Sequence, residues 1–194
     1  MDMEPKKQRK FSEESRLPIL GAAFLLGAVA GSLCCARIDP LRLWLEEQGQ
    51  ADLTFLRVFL PEGALLCGMA LCGLLRPGCL LSPVLLAGKG FALSARAVVA
   101  VAAGGGTGYA QMLVLELLPG FLSVAALMLL GRQAMGWSAL RLHRPKGKGR
   151  ALLPDGTFAL TFALCMGLDV LSAALRLWLT PKLWSAALLL LPKL

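Results

Sequence analysis

Apolar runs alternate with short polar segments along most of the chain. The run 17–36 contains no charged residue over about twenty positions, which is the length that spans a bilayer core. A cleaved signal peptide is an alternative for this run, because Ala28-Val29-Ala30 resembles a cleavage site, but the run continues past it. The whole pattern predicts an all-α, polytopic transmembrane helix bundle of five spans, at about 17–36, 55–75, 79–103, 109–130 and 157–179.

The segments between these runs predict the rest of the organisation. Residues 1–16 are expected to form a basic cytoplasmic tail, and 17–194 a single transmembrane domain. The glycine-rich stretch 104–108 predicts a turn or a flexible break, and 132–154 a basic loop. The apolar stretch 183–191 is too short to cross as a helix. We expect it to lie at the interface or on the bundle, as a short C-terminal tail.

Composition and charge support a membrane protein. The chain is 57% hydrophobic with a mean hydropathy of +0.68, more apolar than an ordinary soluble domain. The net charge is +8, but the basic residues gather in the N-terminal tail and in one loop. That distribution predicts a cytoplasmic N-terminus and an outer C-terminus after five crossings. Because there is no polar domain with a basic face, no nucleic-acid partner is expected.

Ionisable residues fall inside the predicted spans. At about 1.5 Å per residue, Lys89 lies about 15 Å into the third span, Glu116 about 10 Å into the fourth and Asp169 about 18 Å into the fifth. These depths lie in or near the middle of a hydrocarbon core about 30 Å thick. Four further charged residues fall nearer the outer parts of their spans: Arg57, Glu62, Arg96 and Arg176.

The spacing of these charges predicts shared helix faces. Lys89 and Arg96 are seven residues apart, as are Asp169 and Arg176, so each pair lies on one face of its helix. The third and fifth spans run in the same direction, so the two stripes are able to face each other. We expect Lys89 to pair with Glu116 or Asp169, because a charge at mid-bilayer is costly unless it is paired. The pair could fix helix register, line a route for ions or substrate, or dock a partner's span.

Glycines mark candidate packing faces. Gly27 and Gly31 form a GxxxG motif that lets two helices approach closely. Gly88 and Gly90 flank Lys89 in "LLAGKGFALSAR" (85–96), and they would let a neighbouring helix approach the backbone there.

The residue types required for catalysis or metal binding do not occur in recognisable patterns. The six cysteines lie in or beside apolar runs without a CxxC pair, and there is one histidine. No nucleotide loop or hydrolase motif is present. The sequence therefore predicts a protein that is not an enzyme and that has no cofactor.

Four stretches, in order, resemble the stage II sporulation protein M family of small polytopic membrane proteins. They are "LPILGAAFLLGAVAGSL" (17–33), "KGFALS" (89–94), "LELLPGFLSVAALMLLG" (115–131) and "LSAALRLWLTPKLW" (171–184). After Pro119 the family tends to carry a polar residue, where this chain has "GFL".

The resemblance implies a non-enzymatic membrane scaffold of the sporulation engulfment machinery. Such proteins recruit peptidoglycan hydrolases, the stage II sporulation proteins P and D, to the septal membrane of an endospore-forming bacterium. The expected surroundings are then membrane lipid and other membrane proteins, in the bacterial cell membrane. The alternative from another class is a small transporter or permease subunit that uses the intramembrane charges.

Overall fold

The computed structural model describes residues 15–37, 55–75, 77–111, 117–142 and 156–190. Apart from short turns, these residues are helical. The helices are α1 (Arg16–Arg37), α2 (Phe55–Leu74), α3 (Gly78–Gln111), α4 (Leu118–Leu142) and α5 (Gly156–Leu190).

The predicted all-α bundle of about five spans is confirmed. Four helices contain segments long and apolar enough to cross a membrane: Arg16–Ala36, Gly78–Val99, Leu118–Arg141 and Gly156–Leu179. The remaining helix, α2, has a shorter apolar stretch at Val58–Leu74. The chain is therefore a multi-pass membrane protein.

Two helices run further than the sequence pattern predicts. The expected turn at 104–108 does not form, because α3 continues through these glycines to Gln111. Likewise α5 continues through Thr180 and Pro181 to Leu190, so residues 183–190 extend the fifth helix. Glycine and proline interrupt helices in water, but in a membrane every backbone polar group must be satisfied internally, which favours an unbroken helix.

The fourth helix is displaced along the chain relative to the prediction. It begins at Leu118 rather than near 109, because α3 occupies 109–111. It ends at Leu142, so the first part of the predicted basic loop is helical. Arg141 lies in this last part of α4, and its Nη1 donates a hydrogen bond to the carbonyl oxygen of Leu74. This contact places a cation at the C-terminal end of α2, where it is favourable.

Helix α1 packs mainly on α3, through glycine. A Cβ atom at Gly27 would lie 1.9 Å from the carbonyl oxygen of Ala87, and one at Gly31 would lie 2.4 Å from that of Phe91. From the other side, a Cβ at Gly90 would lie 2.2 Å from the carbonyl oxygen of Phe24. The predicted packing face at the GxxxG motif is therefore confirmed, and Gly90 completes it.

All five helices contribute to the core of the bundle, which includes Leu20 of α1 and Leu86 of α3. Leu66 and Met69 of α2 are buried with Leu127 and Leu130 of α4 and with Cys165 of α5. Three hydrogen bonds also join these helices. Ser138 Oγ of α4 accepts one from the backbone N–H of Cys79 of α3 at 2.9 Å. Between α4 and α5, Gln133 donates to Thr161 Oγ1 at 2.9 Å, and Cys165 donates to the carbonyl oxygen of Ala126 at 3.3 Å.

Two arginine side chains contact neighbouring helices at one end of the bundle. The Arg16 side chain, at the start of α1, lies against Gly136 near the end of α4. Arg141 reaches Leu74 at the end of α2, beside the α2–α3 turn. That this end faces the cytoplasm stays a prediction from the distribution of lysine and arginine.

A matched pair of alanine substitutions tests the α1–α3 contact. Gly90→Ala puts a methyl group against the α1 backbone, whereas no neighbouring atom lies within 4 Å of a Cβ at Gly88. We expect Gly90→Ala to lower the free energy of unfolding by about 1–3 kcal/mol, the usual cost of overpacking. Gly88→Ala should leave it unchanged or raise it by up to about 1 kcal/mol, because alanine favours a helix more than glycine does. Denaturant titration of the protein in mixed micelles measures both, and equal losses would contradict this packing.

Candidate functional site: an intramembrane charge cluster

Lys89 of α3 forms an ion pair with Glu62 of α2, from Nζ to Oε1. The two side chains are only 5% and 12% exposed. The sequence-based expectation named Glu116 or Asp169 as the partner. The structure shows Glu62 instead, and Glu116 lies outside the described residues.

Glu62 joins three helices. Its Oε1 accepts from Lys89, and its Oε2 accepts a hydrogen bond from the hydroxyl of Ser123 on α4 at 2.8 Å. Hydrogen bonds to an ionised group are roughly twice as strong as neutral ones. Glu62 therefore connects α2, α3 and α4 inside the bundle.

Asp169 of α5 lies beside this contact, completely buried. It interacts electrostatically with Glu62, Lys89 and Arg176, and the hydroxyl group of Ser123 lies close to it. However, neither of its carboxylate oxygens accepts a hydrogen bond from any described residue. The Ser123 hydroxyl has a single proton, which it donates to Glu62.

The cluster lies at one depth in the bundle. A Cβ at Gly73 of α2 would lie 3.2 Å from both Ala134 of α4 and the Phe158 ring of α5, so these three residues share a level. On each of these three helices, one residue of the charge cluster lies eleven residues, or about 16 Å, away from this level. The members are Glu62, Ser123 and Asp169.

Lys89 reaches the same level on the remaining helix. It lies eleven residues after Gly78, which packs against Cys72 close to Gly73. Because about 16 Å is half the thickness of a hydrocarbon core, the whole cluster lies near the middle of the membrane. Glu62 was expected nearer the outer side because its depth was measured from the predicted start of the second span.

The charged stripes on α3 and α5 interact through their side chains, since Lys89 acts electrostatically on Asp169 and Arg176 acts on Lys89. Within the described part of the chain, α2 and α4 each pack closely against both α3 and α5, whereas α3 and α5 are not a closely packed pair. Glu62, on α2, interacts electrostatically with Lys89 of one stripe and with Arg176 of the other. Arg96 is exposed and Arg176 is partly exposed, further along their helices, and both repel the ammonium group of Lys89.

Two serine residues of the site were not singled out from the sequence. Ser123 binds Glu62, and Ser172 donates a hydrogen bond to the carbonyl oxygen of Pro119 at 2.7 Å, which ties α5 to the beginning of α4. Both serines could be found from the sequence as hydroxyl side chains inside predicted spans, because such side chains hydrogen-bond across helices in membranes.

The chain gives no match in comparisons with protein-family models, with curated proteins or with solved structures.

A double-mutant cycle tests whether Lys89 and Glu62 act as a pair. Lys89→Met leaves Glu62 without its buried cation, and Glu62→Gln leaves Lys89 with Asp169 as its nearest acid. We expect each single substitution to lower the free energy of unfolding by about 3–5 kcal/mol, and the double substitution to recover most of the loss. Denaturant titration in mixed micelles provides all four free energies.

Arg96→Met is the control, because it removes an exposed cation from the same helix. It should change the free energy of unfolding by less than about 1 kcal/mol. If the losses from the two single substitutions simply add in the double variant, the buried pair does not hold the helices together.

Proposed function

We propose that this chain is a non-enzymatic integral membrane scaffold, as its resemblance to the stage II sporulation protein M family implies. Its task would be to recruit peptidoglycan hydrolases, the stage II sporulation proteins P and D, to the septal membrane during engulfment. The observation that best supports a recruiting role is an apolar groove between α1 and α3.

The groove has a volume of about 610 Å³. Phe24, Ala28 and Ser32 of α1 line one side, and α3 lines the other. The α3 side is formed mainly by Leu93, Ser94, Ala97, Val98 and Val101. Among the described residues the lining contains no charged side chain, which favours an apolar occupant.

The chemistry of the lining favours a helix as the occupant. Alanine and serine recur on both sides, and small residues let helix backbones approach closely in a membrane. The volume accommodates a few side chains from the ridge of a helix rather than a whole helix. The proposed occupant is therefore a membrane-anchoring helix of a partner protein, whose apolar side chains enter the groove.

The charge cluster suits a scaffold in a second way. The Glu62–Lys89 pair and Ser123 hold α2, α3 and α4 in one register. A partner that binds α3 then meets a surface whose position is fixed by the rest of the bundle. Preorganised surfaces bind more tightly because less motion is lost on binding.

A second candidate function is transport of an ion or a small substrate. It is favoured by one specific observation, the buried carboxylate of Asp169 beside the ion pair. Ionisable residues in such positions mark ion and proton pathways in many membrane proteins.

Site-specific photocrosslinking in sporulating cells tests the recruiting role. A photoreactive residue at Val98 would lie in the groove. At Val84, also on α3 but 65% exposed and outside the groove, it would face lipid. We expect crosslinks to a peptidoglycan hydrolase from Val98 and at least tenfold fewer from Val84.

Equal yields from both positions would show that the groove is not the docking surface, and failure to recover any hydrolase would contradict the scaffold. The transport candidate is separated by flux measurements in proteoliposomes. An ion flux that Asp169→Asn abolishes, without loss of folding, would favour transport.

A further inference from the structure

Charges do not balance within the buried cluster. Two carboxylic side chains, Glu62 and Asp169, share one ammonium group, that of Lys89, and one hydroxyl group, that of Ser123. Both donors are bound to Glu62. If both carboxylates were ionised, the cluster would carry a net negative charge in the middle of the membrane.

The groups that face Asp169 come from every helix around it. Glu62 approaches from α2, Lys89 from α3 and Ser123 from α4, while Arg176 acts along its own helix from two turns away. Arg176 is partly exposed and Asp169 is not. A carboxylate that is fully buried without a hydrogen-bond donor takes up a proton rather than remaining ionised.

We propose that Asp169 is a proton-binding site, which holds an exchangeable proton on its carboxyl group in the folded protein. The protonated group is a donor, so its O–H is able to hydrogen-bond to a carboxylate oxygen of Glu62 or to Ser123 Oγ. When the proton leaves, the O–H bond breaks, the electron pair stays on Asp169 and the proton passes to water. The ammonium group of Lys89 is then shared between two carboxylates.

A proton fits the site better than a metal cation. A hard cation needs a shell of oxygen ligands, and the cluster offers two carboxylates and one hydroxyl. A second full charge would also be placed beside the ammonium group of Lys89, which repels it.

This inference does not depend on the recruiting role, because it concerns the interior of the bundle rather than the groove. Its test uses the purified full chain in lipid nanodiscs, so that failure of partner recruitment and failure of proton binding are observed separately.

Infrared spectroscopy detects the proton directly. We expect one protonated carboxyl band per chain at neutral pH, which shifts when aspartate is labelled with carbon-13 and disappears in Asp169→Asn. Glu62→Gln should retain the band at a changed frequency, because the hydrogen-bond acceptor changes. The other aspartates, which lie in polar segments of the sequence, are expected to be ionised in water at this pH.

The melting temperature supplies a second readout. The folded chain holds a proton that the unfolded chain releases above about pH 4, so stability should fall as the pH rises from there until the folded protein also releases it. Asp169→Asn, which resembles the protonated group in shape, should lose that part of the pH dependence.

Two outcomes would overturn the proposal. One is a carboxyl band that is missing from the wild-type spectrum or does not respond to aspartate labelling, a result that does not require any variant to fold. The other is a wild-type melting temperature that rises with sodium, but not with potassium or choline, and is insensitive to pH. That result would identify a metal cation as the ligand of Asp169.

Discussion

A lysine in the middle of a membrane must have an acid within reach, and much of this bundle is arranged around that requirement. Glu62 meets it from a neighbouring helix and also accepts a hydrogen bond from Ser123, so a single carboxylate sets the relative positions of α2, α3 and α4. Because the members lie at one depth, a shift of any helix by a turn would separate them by about 5 Å. The ion pair therefore determines helix register as well as charge balance.

The molecule uses two different kinds of helix contact. Helices α2, α4 and α5 pack through large apolar side chains and polar hydrogen bonds, whereas α1 meets α3 through glycine, backbone against backbone. Helix α3 takes part in both, since Gly90 faces α1 and the adjacent Lys89 reaches α2. The GKG sequence thus joins the glycine contact to the charge cluster, and the groove lies along that junction.

The number of helices and the GxxxG contact could be predicted because they depend on local pattern. The partner of Lys89 could not, because it depends on which helices are neighbours and where each span begins. Glu62 is seven residues from one end of α2 and twelve from the other, and only the packed bundle shows that it lies at mid-depth. The predicted ends of α3 and α5 were wrong for a related reason. Glycines such as Gly104–Gly106, and proline such as Pro181, interrupt helices in water, whereas lipid favours a helix that continues through them.

The dependence of α1 on α3 has a consequence for the order of assembly. Helix α1 is made first, but its glycine face has no partner until α3 has been synthesised, about sixty residues later. During that interval α1 must remain in the bilayer without its partner, and its lack of charge between Leu17 and Ala36 suits it to this. Helix α3 could not wait in the same way, because Lys89 needs Glu62, which the chain places ahead of it on α2.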